Sequence, residues 1–125
     1  MTDPMHHKDL VVWQKAMELV TECYRLSDRF PRSEDFGLRL QLRRAAVSVP
    51  ANIAEGRGRT GVGEYLHHLS IAHGSLKELE THLEIGQRLG YLAPELVAHV
   101  QERLDEVGRL LGGLIRKLRA AGGAR

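Results

Sequence analysis

Histidine, glutamate, serine and arginine recur at helical intervals in this chain, and each set implies a different chemistry. Glu64 and His67 form an E-x-x-H, the spacing by which carboxylate di-iron bundles place two ligands on one helix face. Such a centre needs a second E-x-x-H and glutamates from two further helices, all pointing inward. The chain has seven histidines, but this E-x-x-H stands by itself. The apolar columns of the first and last helical blocks carry no acid to complete a site. No metal and no cofactor are expected.

Nucleophilic chemistry finds no better support. The single cysteine, Cys23, falls in an apolar stripe and reads as an inert core thiol. No Gly-x-Ser-x-Gly turn occurs. The glycine-rich connection from Gly56 to Gly63 lacks the lysine and Ser/Thr of a phosphate-binding Walker loop, and it follows a helix rather than a strand. It reads as a flexible connector, with an anion site at the start of the next helix as the alternative. No catalytic residue and no small-molecule substrate are assigned.

Two polar columns carry more information. Glu64, His68, Ile71, Ser75, Glu78 and His82 recur at steps of 4, 3, 4, 3 and 4, while Arg44, Ser48, Asn52 and Glu55 form a second column. If the columns face each other, Arg44 or Arg43 meets Glu78, and Asn52 meets Ser75. The expected polar seam comprises Arg44, Ser48, Asn52, Glu55, Ser75 and Glu78. It serves either to fix helix register or to line a subunit or ligand interface.

Charge is the third signal. Net charge is only +2, but residues 25–59 hold eight arginines against Asp28, Glu34, Asp35 and Glu55. Arginine offers a bidentate fork for carboxylate or phosphate that lysine lacks. One reading is a solvated face with internal ion pairs; the other is an anionic partner. A total charge this small excludes a protein that coats nucleic acid by electrostatics alone.

The elements that must position these residues follow from period and punctuation. No sustained period-two alternation occurs, and helical spacing appears in four blocks. The first, about 8–29, carries two adjacent apolar stripes: Leu10, Trp13, Met17, Val20, Tyr24, and Val12, Ala16, Leu19, Cys23, Leu26, Phe30. That arc is wider than one side of a small bundle requires, so this helix is either central or meets another chain. Ser33, with Glu34 and Asp35 behind it, reads as the N-cap of a second helix over 34–55. Its core positions are Leu42, Ala45 or Ala46, Val49 and Ile53. Pro50 inside it predicts a kink near Ala46 to Pro50.

Helix three is expected over 62–89, with Gly90 as a left-handed stop. Helix four is expected over 94–119, with Pro94 in its first turn and a frayed tail at 120–125. One domain spanning 1–125 results: an all-α, antiparallel up-down-up-down four-helix bundle with a proline-kinked second helix. The start, MTDPMHHKDL, has no apolar signal segment, and no apolar run approaches the roughly 20 residues of a membrane span. A cytoplasmic protein without membrane contact is expected.

Three stretches, DLVVWQKAMELV, GLRLQLRRAAVSVPANIAEGRGR and EYLHHLSIAHGSLKELETHLEIGQRLGYL, cover nearly all of residues 9–92. Together they resemble the small four-helix-bundle proteins encoded in intervening sequences of bacterial 23S rRNA genes, the S23 ribosomal protein family. The resemblance implies a ring-like homopentamer. The accessory proteins of diversity-generating retroelements are similar in fold and pentameric, and bind nucleic acid and the reverse transcriptase through basic surfaces. By that analogy Arg39, Arg43, Arg57 and Arg59 are the candidate nucleic-acid contacts. The function expected is a non-enzymatic, self-assembling scaffold or adaptor with RNA or a ribonucleoprotein as partner. The alternative is a protein–protein interaction module that binds no nucleic acid, its arginines serving ion pairs within and between subunits.

Overall fold

The computed structural model describes residues 6–123. Residues 1–5 and the last two positions of the tail lie outside them. Four helices follow one another: α1 Val11–Ser27, α2 Leu38–Arg57, α3 Val62–Arg88 and α4 Pro94–Gly123. Short 3-10 turns precede α1 at His7–Asp9 and α2 at Arg32–Glu34. No strand occurs among the described residues. Each helix packs on its sequence neighbours, and α1 also meets α4, so the four stand at the corners of a square. The connections, residues 28–37, 58–61 and 89–93, are short enough that sequential neighbours run antiparallel.

The core is the set of stripes read from period. Val12, Ala16, Leu19, Cys23, Leu26 and Phe30 enter from α1 and its end, Leu42, Ala45, Ala46, Val49 and Ile53 from α2. Leu69, Ala72, Leu76, Leu79 and Leu83 enter from α3, and Val97, Val100, Leu104, Val107 and Leu111 from α4. The stripe Leu10, Trp13, Met17, Val20 and Tyr24 is divided: Leu10, Trp13 and Val20 are partly buried and pack against this core, while Met17 and Tyr24 are exposed.

Three boundaries differ from the sequence expectation. The second helix begins at Leu38, not at 34, because Ser33 does not cap it. Residues 32–34 make a 3-10 turn instead, and the Glu34 carboxylate accepts the Leu38 N–H at 2.9 Å. Tyr91 Oη donates to the other Glu34 oxygen at 3.1 Å, which fixes this cap against the α3–α4 connection. The first helix is shorter than expected, since residues 7–9 take the tighter 3-10 form. The last helix is longer, running through residues 120–123 that were expected to fray.

Pro50 lies buried inside α2 and deprives the Ala46 carbonyl of its helical donor. The helix nevertheless continues to Arg57. Gly90 has φ of 79°, the left-handed geometry that glycine adopts without steric cost. It lets the Tyr91 N–H return to the Gly86 carbonyl at 3.0 Å and stop α3.

Candidate functional site

The antiparallel pairing of α2 and α3 sets which polar residues meet. Ser75 Oγ donates to Ser48 Oγ at 2.8 Å. Asn52 Nδ2 donates to the Ser48 carbonyl at 2.9 Å and to Ser48 Oγ at 3.0 Å. The Asn52 amide nitrogen being engaged, its Oδ1 is left to accept, and it faces His68 Nδ1 at 3.1 Å. The network therefore places the His68 proton on Nδ1 and leaves Nε2 as an acceptor when the ring is neutral. Nε2 stands 4.0 Å from Glu55 Oε1, which in turn accepts from Arg59 Nη2 at 2.7 Å.

The result is a hydrogen-bonded chain from Ser75 through Ser48 and Asn52 to His68, with the Glu55–Arg59 ion pair beside its outer end. Asn52 pairs with His68 rather than with Ser75, one turn from the expected register. Gly56 makes the close approach feasible: a Cβ there would stand 2.8 Å from His68 Cβ and 3.1 Å from the Tyr65 ring.

Two expected seam members stay out of it. Arg44 is exposed on the outer side of α2. The Glu78 side chain is 58% exposed and lies 3.6 Å from the Nε2 of His82, one turn along α3, rather than beside an arginine of α2. Both charges are left to solvent, which avoids the desolvation cost of burying them.

The four arginines named as nucleic-acid candidates fall into two pairs at opposite ends of the bundle. Arg39, with a side chain only 16% exposed, donates through Nη2 to the carbonyls of Phe30 and Pro31. Its Nε lies 3.2 Å from Asp35 Oδ1. Arg43 donates Nε to the hydroxyl of buried Ser27 at 2.7 Å and Nη2 to Asp28 at 3.1 Å, with its guanidinium 4.6 Å from the centre of the Tyr24 ring. Both tie α2 to the end of α1.

Arg57 and Arg59 stand at the other end, where α2 gives way to α3. There they line a groove of about 250 Å³ with Thr60, Gly61, Val62, Tyr65, Leu114, Lys117 and Leu118. Burial holds the Tyr65 phenol above its ordinary range, and the charge of Arg57 pulls the other way. Lys117 was not among the sequence candidates, nor were Arg116 and Arg119, which line a second groove between α3 and α4 with His73. The run Arg116-Lys117-Leu118-Arg119 is plain in the sequence. Only the antiparallel return of α4 places it beside the α2–α3 connection.

Neither metal nor thiol chemistry gains a site. No group of three or more His, Cys, Asp or Glu side chains comes together among the described residues. Cys23 is fully buried, and burial, helped by the charge of Glu22, pushes its thiol up to about 12. No helix among the described residues is long and apolar enough to cross a membrane.

Comparison with known proteins agrees with this fold. The model of the 23S rRNA-intervening sequence protein family matches residues 8–113. A solved structure from Bacteroides thetaiotaomicron, described as a protein of unknown function from the S23 ribosomal protein family, superposes with a TM-score of 0.78 at 25% sequence identity. The match covers 84% of this chain and 98% of that one. No functionally curated protein matches the sequence. With four helices in the same arrangement and a family match over most of its length, the chain belongs to the 23S rRNA-intervening sequence protein family.

Proposed function

We propose that this chain is a non-enzymatic, self-assembling helical bundle that acts in the cytoplasm as a scaffold or adaptor, with RNA or a ribonucleoprotein as its partner. The observation that carries the reading is the charge at one end of the bundle. Arg57 and Arg59 from the α2–α3 connection line one groove with Lys117 of α4, and Arg116 and Arg119, on the same last turns of α4, line a second groove. Glu55 and Glu64 are the acids on the adjacent turns of α2 and α3. A polyanion neutralises such a cluster and releases its own counterions in doing so.

Self-assembly is supported by the stripe of α1 that runs from Leu10 to Tyr24. Met17 and Tyr24 are exposed on it, and Val47 is exposed one turn from Arg43, which touches Tyr24. Apolar side chains gathered on the α1–α2 side suit a neighbouring copy, and a ring of five is the arrangement implied by the family resemblance. A sedimentation mass near one 14.0 kDa chain would contradict assembly.

The RNA reading is tested by filter binding to structured RNA at two salt concentrations. Affinity should fall with salt, and Arg57→Ala with Arg59→Ala should lower the slope of log K against log salt by about 1.4 for a single strand. Binding that is micromolar or weaker and indifferent to both substitutions removes it. A second reading, a protein–protein module without nucleic acid, is favoured by the intramolecular contacts of Arg39 and Arg43. It predicts stability effects at those two positions and no RNA affinity at all.

A further inference from the structure

Resting on the RNA reading, we infer that the groove beside Arg57 and Arg59 takes one unpaired nucleotide of a single strand, base inward and phosphates outward. The groove is built in two chemistries. Its floor is apolar, made of Val62 and Tyr65 from α3 and Leu114 and Leu118 from α4, while its rim carries Arg57, Arg59 and Lys117. A duplex offers phosphates and hides its base faces, so it satisfies the rim and leaves the floor uncovered. An unpaired nucleotide offers both: a flat, weakly polar ring for the floor and a charged group on either side for the rim.

Size and position agree. At about 250 Å³ the groove is smaller than the pockets that enclose a whole drug-sized ligand, and it suits a single ring system. Arg57 and Arg59 flank it from the α2–α3 connection, and Lys117 from α4 on the far side. A strand crossing the groove therefore meets cations before and after the inserted base. Arg116 and Arg119 line a separate groove with Ser70 and His73, on another face of α4. Tyr65 is almost wholly buried, so the base rests on the aliphatic walls and the ring edge, without the full stacking of an exposed aromatic. The apolar fit makes the site tolerant of base identity, because every base has a face that can rest on the aliphatic walls.

The test uses the intact chain and fluorescence anisotropy with a labelled oligoriboadenylate, the same strand annealed to its complement, and the same strand carrying abasic sites. The single strand should bind about tenfold or more tighter than either the duplex or the abasic strand, the range one seated base supplies. Leu118→Gln, near the end of α4 where folding is least at risk, should erase that preference while leaving duplex affinity unchanged. Lys117→Gln should weaken all three probes alike. Equal affinity for single strand, duplex and abasic strand overturns the inference while leaving the RNA reading standing. Absence of binding to all three overturns both. Competition by an acidic peptide at the same concentration as the oligonucleotide also overturns it, since the rim alone would then account for binding.

Discussion

The hydroxyls of Ser48 and Ser75 meet at 2.8 Å across the α2–α3 contact, and Ser48 also accepts from the Asn52 amide. Ser48 is thus the hub of the seam and Ser75 its terminus. Replacing Ser48 with alanine leaves the buried Ser75 hydroxyl without its acceptor and removes one of the two bonds of the Asn52 amide, which keeps the Ser48 carbonyl; this should cost about 1–3 kcal/mol. Ser75→Ala removes the outer donor and should cost about 1 kcal/mol or less. Urea denaturation of the two variants checks the order; equal effects would contradict the hub role.

Glycines at two ends of the α2–α3 connection should respond in opposite directions. Alanine at Gly56 forces its Cβ to 2.8 Å from His68 Cβ, the root of a side chain that cannot swing away, so stability should fall by about 1–3 kcal/mol. Alanine at Gly63 meets nothing within 4 Å and lies in the first turn of α3. It should stabilise by about 0.4–1 kcal/mol through the unfolded chain. Thermal melting distinguishes the two.

The arginines should separate by end. Arg43→Ala removes the charged donor to Ser27, whose hydroxyl keeps its bond to the Tyr24 carbonyl, and takes the cation from the Tyr24 ring; losing a hydrogen bond from a charged group should lower stability by about 1.5–3 kcal/mol. Arg59→Ala removes one half-exposed ion pair with Glu55, which is worth about 0.2–1 kcal/mol at most. It should instead weaken RNA binding. The reverse pattern would favour the protein-interaction reading.

Cys23 sets an alkaline limit. Its folded-state thiol titrates at about 12, above the ordinary 9.0, so in the unfolded chain it loses its proton first. Between those values the unfolded state binds fewer protons than the folded one, and stability falls as pH rises. Below the lower value the term vanishes. Stability measured from neutral pH to above 9 should decline more steeply in the parent chain than in Cys23→Ala. At neutral pH a thiol reagent should label Cys23 only after unfolding.

Much of the fold could be read directly. The stripes at 3 and 4 placed Leu42, Val49, Ile53, Leu76 and Leu83 in the core because a helix face repeats at that period whatever surrounds it. Gly90 and Pro94 marked their turns through backbone geometry alone. The start of α2 was misplaced because Ser33 and Glu34 both have capping chemistry. The choice between them rests on Tyr91, 57 residues away, which holds Glu34 in place.

The site was less legible for the same reason. Arg39, Arg43, Arg57 and Arg59 look alike along one helix, yet its length carries them to opposite ends of the bundle. Lys117 joins Arg57 only through the return of α4.

The central claim, that a polynucleotide meets the end formed by the α2–α3 connection and α4, is tested most directly by photo-crosslinking a thiouridine-containing RNA to the intact chain and sequencing the modified peptides. Crosslinks should concentrate within residues 57–65 and 114–119. Crosslinks confined to residues 24–43, around Arg39 and Arg43, would contradict it.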